Sequence, residues 1–427
     1  MKIWKSDSLP PDWWKRQKTD PEAARRIKDS VKSIIARVRE GGDKALVEFA
    51  LKFDKATLTE NELKVTPQEI KDAYKKASPA QVAALKFMQQ KVAAFQEKQL
   101  SKIQDEIESD GITVRTILKP LESVGCYVPG GQAAYPSTLV MTAAPAKVAG
   151  VPRVVVCSPS DKEGKVNPLV LVAADICGVD EVYKVGGAQA VAALAYGTES
   201  LLPVSKIVGP GNMFVTAAKV FVSKDVAIDM PAGPSEVLVL ADESADARLI
   251  AYDMISQAEH GGDSVAGLIT TSKKLASNVQ ETLSKLATSA ERKEKIVASL
   301  ANFGFIIICK TIGEALGLVN QFVPEHLELM VSKPHEVADK VSAGLILVGP
   351  FSPVALSDYA SGTDHVLPTG GFAKVFSGLS ALDFTRRVCV VEASKSGLEK
   401  VKENIKVLTE AENLPNHYKA IEARFQK

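Results

Sequence analysis

A glutamate and a histidine stand side by side in the segment 323–328 (VPEHLE), between a proline and an apolar run. The imidazole of histidine titrates close to neutral pH, and a neighbouring carboxylate can orient it, shift its pKa or activate a water molecule. Glu325 and His326 are therefore candidate catalytic residues for acid–base chemistry. Such pairs are also common on solvated helix faces, so the dipeptide alone leaves a structural role open.

A second set of residues has the composition of a metal site. The segment 256–260 (SQAEH) ends a predicted helix, so Gln257 and His260 lie on one helix face and can reach one ion. Asp358 is a candidate oxygen ligand and His417 a candidate nitrogen ligand. Two imidazoles, one carboxylate and one amide oxygen suit zinc or a similar divalent metal. Exposed glutamine and histidine residues at this spacing are usually ordinary surface residues, so spacing alone does not close the site.

Three glycine-rich turns occur where the backbone must bend sharply or approach a ligand closely. They are 128–131 (VPGG), 184–189 (KVGGAQ) and 209–212 (GPGN). The second turn follows a predicted strand and opens a predicted helix, but it lacks the spacing and the downstream acidic residue of the standard dinucleotide fingerprint. Two alternatives follow: a dinucleotide bound in a modified way, or glycines that only form tight turns.

The composition indicates a multidomain globular protein with a small-molecule partner. At 427 residues the chain is too long for one ordinary core. Its 52 lysines and arginines balance 51 aspartates and glutamates without a long basic block, which argues against nucleic acid or an anionic membrane as a partner. No apolar run reaches the length of a membrane span. Five scattered cysteines without CxxC spacing fit reduced thiols and a cytoplasmic location.

The alternation of segment types predicts an α/β fold with largely parallel sheets. The predicted units are a helical N-terminal region (1–110), a first α/β domain (111–240), a second α/β domain (241–381) and a small C-terminal element (382–427). The N-terminal region has capping-type helix starts at 19–22 and 66–69, and it is either a docking arm or a packing domain that associates with the second α/β unit. The C-terminal element has one strand-like run, 387–392, followed by charged helices.

Within the two α/β units, β-branched runs and helical periodicity give approximate bounds for the elements. Predicted strands are 151–158, 181–185, 206–208, 226–229, 236–241, 265–270, 304–309 and 344–348. Predicted helices are 167–177, 189–196, 213–223 with Asn212 as N-cap, 244–260, 273–287 and 311–321.

Taken together, these segments resemble the histidinol dehydrogenase family. The similar motifs are 127–131 (YVPGG), 209–212 (GPGN), 228–236 (IDMPAGPSE), 257–261 (QAEHG), 324–328 (PEHLE), 358–359 (DY), 365–369 (HVLPT) and 377–380 (SGLS). The resemblance extends from about Tyr127 to His417, and so many motifs in one order are not a coincidence. It implies two incomplete Rossmann-like domains in each subunit, which accounts for the missing fingerprint.

The resemblance implies a zinc enzyme that oxidises L-histidinol through L-histidinaldehyde to L-histidine with two NAD, in the last steps of histidine biosynthesis. The implied zinc ligands, one ion per subunit, are Gln257, His260, Asp358 and His417, the implied acid–base pair is Glu325 and His326, and the implied NAD contacts are Tyr127, Gln189 and Asn212. Implied substrate contacts are Ser235, His365 and Glu412, together with His326 and the zinc ligands. The family also implies a homodimer in which the segment 412–417 of each subunit reaches into the active site of its partner.

Four positions depart from the family pattern, none of them an expected ligand or catalytic residue. They are Asp364, Ser357, Phe214 and Asn413, where the family usually has Asn, Gly, Tyr and Gly. A carboxylate at Asp364 is expected to favour the imidazolium form of the adjacent His365.

Three alternatives remain beside the main hypothesis. They are a relative that oxidises another polar alcohol, such as a sulfonated diol, a zinc amidohydrolase, and a non-catalytic binding protein. A hydrolase does not need the glycine turn at 209–212, and the intact pair of Glu325 and His326 argues against the binding protein.

Overall fold

The computed structural model describes residues 1–16, 21–103, 105–130 and 135–426. Within these ranges there are two parallel sheets, of six and five strands, and one antiparallel sheet of three strands. The predicted α/β class with parallel-rich sheets is therefore confirmed. Two predicted features, the helix start at Thr19 and Asp20 and the residue Gly131 of the first glycine turn, lie outside the described residues.

The strands are short, as expected for α/β units. They are β1 (Lys2–Lys5), β2 (Glu106–Ser109), β3 (Ile112–Pro120), β4 (Ser123–Tyr127), β5 (Arg153–Cys157), β6 (Glu181–Tyr183), β7 (Lys206–Val208), β8 (Ala227–Ile228), β9 (Glu236–Ala241), β10 (Val265–Thr270), β11 (Phe305–Ile308), β12 (His326–Met330), β13 (Leu345–Val348) and β14 (Thr385–Ala393).

The helices range from one turn to about six, and α1 consists of two helical segments joined by a kink at Gly42. They are α1 (Pro21–Phe49), α2 (Pro67–Lys76), α3 (Pro79–Leu100), α4 (Pro136–Val148), α5 (Pro168–Ile176), α6 (Gly187–Tyr196), α7 (Met213–Val222), α8 (Ala247–Ala258), α9 (Lys273–Ser289), α10 (Lys293–Asn302), α11 (Ile312–Phe322), α12 (Pro334–Ala338), α13 (Val354–Tyr359), α14 (Lys395–Ala411) and α15 (Pro415–Glu422). None of the helices in the described ranges combines the length and the apolar character needed to cross a membrane.

The five-stranded sheet has the order β6-β5-β4-β7-β8, and its neighbouring strands are parallel. Counted along the chain this is the order 3-2-1-4-5, which is the order of a dinucleotide-binding fold without its sixth strand. The apolar run 154–157 forms β5 because a strand with helices on both faces needs buried side chains at every position. The order of the sheet reverses between β4 and β7, and this switch point is where such folds bind ligands.

The six-stranded sheet has the order β1-β11-β10-β9-β12-β13, again with parallel neighbours. Without β1 it repeats the order 3-2-1-4-5, so the chain contains two incomplete Rossmann-like sheets. The strand β1 pairs Lys2 with Phe305 and Lys5 with Ile308 at the sheet edge. The helical interpretation of residues 1–110 is therefore wrong for β1, because its partner lies in the second half of the chain.

The boundary predicted at residue 240 falls inside β9. This strand pairs with β10 and β12, which makes it the central strand of the six-stranded sheet. The boundary is wrong by a few residues, and the chain leaves the first sheet after Ile228 and enters the second at Glu236. The loop between these strands, 229–235, is therefore the link between the two sheets.

The N-terminal helices α1, α2 and α3 pack on the helices that flank the five-stranded sheet. Thr66 forms a capping box with Glu69 at the start of α2, and Ser78 forms one with Gln81 at the start of α3. In both helices the first residue after the cap is a proline. α1 packs against α6 and α7, and α3 packs against α4 and α5. The helix start predicted at 66–69 is confirmed.

The C-terminal segment begins with β14, which pairs antiparallel with β3 from Thr385 opposite Pro120 to Ala393 opposite Ile112. The strand predicted at 387–392 is confirmed with longer bounds. The helices α14 and α15 follow and contact each other. Val391, Val407 and Leu408 on this segment are about two-thirds exposed, at 64%, 64% and 62%.

All five cysteines are free thiols, four of them buried and one, Cys389, exposed. The cytoplasmic location inferred from their spacing stays a prediction.

Candidate active site

A cavity of about 390 Å³ lies between the two parallel sheets. Pro129 and Asn212, in loops after β4 and β7, line it from the first sheet. Ser235 and His326, at the amino ends of β9 and β12, line it from the second sheet. The cavity thus lies between the loops after β4 and β7 of the five-stranded sheet and the first residues of β9 and β12 of the six-stranded sheet.

The cavity brings together most of the residues that the motifs singled out. Those that line it are Asn212, Ser235, Gln257, His260, Glu325, His326, Asp358 and His365. Tyr127 and Gln189 are buried beside the five-stranded sheet, whereas Glu412 and His417 are exposed at the C-terminal helices. None of these four is among the residues that line the cavity in the described chain.

His326 is buried, and its two ring nitrogens have different surroundings. Nδ1 lies 3.3 Å from the Glu236 carbonyl oxygen, which can only accept a hydrogen bond, so Nδ1 carries the proton in the neutral ring. Nε2 is buried without a hydrogen-bond partner and lies 3.8 Å from Asp358 Oδ1. The lone pair of Nε2 is therefore free to accept a proton in the cavity.

Two carboxylates flank the His326 ring. Glu325 Oε2 is 3.6 Å from Nδ1, on the side opposite to Asp358. Burial lowers the pKa of His326, but Glu325, Asp358 and the Glu236 carbonyl raise it by more, so the net shift of the pKa is upward. His326 is thus a stronger base than an ordinary buried histidine.

Three of the four metal-type residues, Gln257, His260 and Asp358, line the cavity, whereas His417 does not. Gln257 is buried, and the predicted stop of this helix before Gly261 is confirmed. His260 Nδ1 lies 3.2 Å from the Ser256 carbonyl and 3.3 Å from the Gln257 carbonyl, which leaves Nε2 as its free nitrogen. Asp358 Oδ1 is buried without a partner. Within the described ranges no group of three or more His, Cys, Asp and Glu residues is close enough to hold a metal ion.

Asp358 is positioned by α13, and Glu328 anchors that helix. Glu328 is two residues after His326 on the same face of β12, and its Oε1 accepts a hydrogen bond from Val354 N at 3.1 Å. Ser357, where the family usually has glycine, is buried and donates its hydroxyl to the Val354 carbonyl at 2.7 Å. The serine is therefore satisfied inside the helix and does not change the cavity.

The loop 209–212 is held by a buried ion pair between Lys219 and Asp229. Asp229 Oδ2 accepts the Gly209 N–H at 2.7 Å, and Lys219 Nζ donates to the Gly209 carbonyl at 2.9 Å. Gly209 has φ +116°, and a Cβ there would collide with the Tyr127 backbone, so only glycine fits. Both peptide groups of this glycine are thus fixed.

The three residues expected at the NAD site all lie at the carboxyl edge of the five-stranded sheet. Tyr127 ends β4, and its hydroxyl accepts the Gly187 N–H at 3.1 Å at the start of α6. Gln189 is in the first turn of α6, and Asn212 caps α7 by accepting Phe214 N at 3.0 Å. The helix start predicted at Asn212 is confirmed.

Asp364 is buried, with Oδ1 accepting the Val366 N–H at 2.7 Å and Oδ2 without a partner. Burial raises the pKa of this carboxyl group well above its usual value. Burial also lowers the pKa of His365, against the opposing effect of Asp358. The pKa of His365 is lowered, and Asp364 is not among the groups that shift it, so the expectation that Asp364 favours an imidazolium at His365 is wrong.

Asn413 and Phe214, the other two departures, have different local settings. Asn413 has φ +56°, a left-handed conformation that asparagine tolerates better than most residues, which explains why glycine is usual there. Phe214 is in the first turn of α7 and is 38% exposed. Neither side chain lines the cavity in the described chain.

Comparisons with known proteins support one family. The chain matches the profile of histidinol dehydrogenase over residues 16–425. It belongs to the histidinol dehydrogenase family. The histidinol dehydrogenase of Methanosarcina barkeri is 46% identical over 401 residues, 93% of this chain and 92% of the relative. That of Caldanaerobacter subterraneus subsp. tengcongensis is 47% identical over 405 residues, 95% of this chain and 93% of the relative.

A solved member of the histidinol dehydrogenase family has the same fold. The crystal structure from Elizabethkingia anophelis matches with a TM-score of 0.93 at 34% identity, covering 100% of this chain and 98% of that chain. The family that the motifs resembled is confirmed, and with it the enzyme class of oxidoreductase.

Sequence reasoning missed two residues at the edge of the site, Arg16 and Glu236. Glu236 ended a quoted motif, and its position directly after Ser235 was a usable signal. Arg16 is far from the motifs in the chain, and no local pattern indicated it. Both contact the segment that carries Glu325 and His326.

The substitution Asp364→Asn tests the protonation of this buried carboxyl group. Because the folded pKa is raised, the stability of the wild type falls as pH rises from the ordinary carboxyl pKa of the unfolded chain to the raised pKa of the folded protein, whereas asparagine does not titrate. The Tm of the variant minus that of the wild type is expected to increase from about pH 5 to about pH 8. Thermal unfolding at several pH values measures it, with exposed Asp339→Asn as control. A difference independent of pH contradicts the assignment.

Proposed function

We propose that the chain oxidises L-histidinol through L-histidinaldehyde to L-histidine, the last steps of histidine biosynthesis, with transfer of two hydrides to two NAD. The observation that carries the proposal is the buried, unpartnered Nε2 of His326 in a cavity that also contains Glu325 and Asp358. Membership of the histidinol dehydrogenase family supports the substrate. The catalytic residues are Glu325 and His326.

In the first oxidation the substrate hydroxyl gives its proton to His326 Nε2, and a hydride passes to NAD from the carbon that carries this hydroxyl. Nε2 suits this role because the Glu236 carbonyl holds the other nitrogen in the protonated state. The flanking carboxylates of Glu325 and Asp358 stabilise the imidazolium that forms. The product of this step is the aldehyde, and the proton leaves His326 before the next step.

In the second oxidation the aldehyde takes up water, and the resulting diol loses a second hydride and a second proton. Glu325 is the group that activates the water, and His326 again accepts the proton. The Glu325 carboxylate is held for this role by the Glu236 N–H, which donates to Oε2 at 2.7 Å. One water and two NAD are consumed for each histidinol.

We propose a zinc ion beside the residues at the end of α8. Asp358 Oδ1 is a buried oxygen without a partner, and His260 has one nitrogen oriented by backbone carbonyls, as is usual for histidines that bind metals. The proposed ligands are Gln257, His260, Asp358 and His417, with one zinc in each subunit. When bound, zinc supplies an orienting charge for the substrate's imidazole and amino nitrogens. Ser235, His365 and Glu412 complete the substrate site, together with His326.

The NAD site is proposed at the switch point of the five-stranded sheet, near Tyr127, Gln189 and Asn212. The fixed peptide of Gly209 and the strand order 3-2-1-4-5 support this location. The loop 209–212 runs from this edge to the cavity, so a nicotinamide bound there can approach His326.

We propose a homodimer in which the active site is shared. Glu412 and His417 are exposed and lie outside the cavity of their own chain, although the family resemblance gives both a role in it. The segment that carries them also exposes Val407, Leu408 and Leu414, the last at 42%. Apolar side chains exposed together often mark an interface. A two-fold partner supplies such a surface and builds two equivalent sites.

The reaction is tested by measuring NADH formation with purified protein. L-histidinol is expected to yield about two NADH per molecule, since a primary alcohol becomes a carboxylate in two hydride transfers. A panel of other polar alcohols, including sulfonated diols, distinguishes a relative with another substrate, and amide hydrolysis without NAD would indicate a hydrolase.

The same assay separates the two catalytic residues. His326→Asn is expected to slow the oxidation of both histidinol and histidinaldehyde, whereas Glu325→Gln is expected to slow chiefly the aldehyde step, because only that step consumes water. Equal losses on both substrates in the Glu325 variant would mean that its water-activating role is wrong.

The metal site is tested with His260→Asn. Loss of one ligand is expected to lower bound zinc and histidinol affinity together, since the remaining groups no longer hold the ion in place. Metal content by elemental analysis and substrate affinity by calorimetry are the measurements, with exposed His335→Asn as control. Full zinc occupancy and unchanged affinity in the His260 variant would contradict the ligand assignment.

The shared site is tested by mixing two inactive variants, His417→Ala and His326→Ala. After subunit exchange about half the dimers are mixed, and each has one intact site and one with both lesions. Activity is therefore expected to return to about a quarter of the wild-type value. If exchange is verified by mass and no activity returns, the site lies within one chain.

A further inference from the structure

Glu236 contacts both residues of the proposed catalytic pair through its backbone. Its N–H donates to Glu325 Oε2 at 2.7 Å, and its carbonyl oxygen lies 3.3 Å from His326 Nδ1. These contacts follow from the parallel register, in which Val237 is opposite His326 and Glu236 is therefore beside Glu325. The orientation of both catalytic side chains thus depends on where the Glu236 backbone lies.

The side chain of Glu236 holds two loops of the site. Oε2 accepts the Glu325 N–H at 3.2 Å, and Oε1 accepts the Gly370 N–H at 2.9 Å. Gly370 follows the segment 365–369, which contains His365. The buried carboxylate therefore ties the catalytic pair to the loop of a proposed substrate contact.

Arg16 completes this arrangement from the N-terminal segment. Its Nε donates to Glu236 Oε1 at 2.8 Å, and its Nη2 lies 3.2 Å from Oε2. Nη2 also donates to the carbonyl oxygens of Phe322 at 2.6 Å and Val323 at 2.9 Å, at the end of α11. The guanidinium stacks on the Phe322 ring, 3.7 Å from its centre. One side chain thus joins the end of α11 to Glu236.

The backbone between α11 and the catalytic pair is strained. Val323 has φ +51°, a left-handed conformation that a β-branched residue rarely adopts. Strain of this kind persists only where surrounding contacts hold the chain. Arg16 supplies one such contact at the Val323 carbonyl, two residues before Glu325.

We infer that Arg16 and Glu236 are a positioning pair for Glu325 and His326, and that the N-terminal segment is a functional part of the active site. This inference rests on the proposed function of the catalytic pair. Neither residue is among those that line the cavity in the described chain. Burial raises the pKa of Glu236, and Arg16 opposes that rise, so removing Arg16 also weakens the charge that holds Glu325 and Gly370.

The test uses Glu236→Gln, Arg16→Ala and Arg16→Lys in the full-length protein. Glutamine has one acceptor oxygen where glutamate has two, so it cannot serve all four donors at once. The resulting displacement of Glu325 and His326 is expected to lower kcat by about tenfold to a hundredfold with little change in KM, because a shift of about 1 Å in a catalytic group has effects of that size. Arg16→Lys is expected to lie between the wild type and Arg16→Ala, because lysine keeps the charge without the fork.

Guanidinium ion at millimolar concentration is expected to restore part of kcat in Arg16→Ala by occupying the vacated position, compared with sodium chloride at equal ionic strength. Such rescue is not expected if Arg16 acts only on overall stability. The absence of rescue, with kcat in Arg16→Lys no higher than in Arg16→Ala, counts against the positioning role of Arg16.

Arg153→Lys is the matched control. Arg153 bonds Glu181 at 2.7 Å and the carbonyls of Leu202 and Pro203, both at 3.1 Å, in the five-stranded sheet. Like Arg16, Arg153 bonds one glutamate side chain and two backbone carbonyls, but it does not line the cavity in the described chain. Its replacement is therefore expected to lower Tm without changing kcat. If folded Glu236→Gln keeps kcat within about twofold of the wild type, the inference is wrong.

The exchange rate of the Glu325 amide hydrogen gives a reading that needs no substrate. It is expected to rise in Glu236→Gln, because its acceptor is disturbed, and to stay unchanged in Arg153→Lys. An unchanged rate in Glu236→Gln overturns the inference even if the wild type does not oxidise histidinol. Inactivity of the wild type towards histidinol, with a faster exchange in the variant, instead contradicts the proposed function alone.

Discussion

The pairing of β9 with β12 is the constraint on which the site depends. These strands are neighbours at the point where the strand order of the six-stranded sheet reverses, and their register places Glu236 beside Glu325. One face of β12 carries Leu327 and Leu329 into the core, so the other face must carry His326 and Glu328. A shift of one residue in this register would place Leu327 and Leu329 on the face that now carries His326, and His326 would point into the core. Packing and chemistry are therefore fixed by the same hydrogen bonds.

The two sheets have the same strand order but present opposite ends to the cavity. The five-stranded sheet contributes loops at its carboxyl edge, the usual place for a ligand in an open α/β sheet. The six-stranded sheet contributes the amino ends of β9 and β12, which is unusual. The link 229–235 allows this, because it runs from the edge of one sheet to the central strand of the other. The glycine turn at 209–212 and the pair of Glu325 and His326 consequently meet.

Local patterns predicted much of the fold, and the misses have physical reasons. Apolar runs such as 265–270 gave correct strands, and a recognised cap at Asn212 gave a correct helix start. β12 was missed because His326 and Glu328 interrupt its apolar character, although both are buried. α4 was missed because it is buried on nearly all sides and lacks an amphipathic pattern. β1 was missed because its partner is distant in the chain.

The sequence by itself determined the family, the α/β class and the identity of the residues that can do chemistry, because motifs such as 324–328 and 257–261 are local. Only the tertiary structure decided which of them meet: His365 and Asp358 enter the cavity, whereas Glu412 and His417 stay outside it in one chain. It also decided that Asp364 is buried and that Arg16 reaches Glu236. These facts depend on burial and on contacts between distant segments, which hydrophobic periodicity and spacing do not contain.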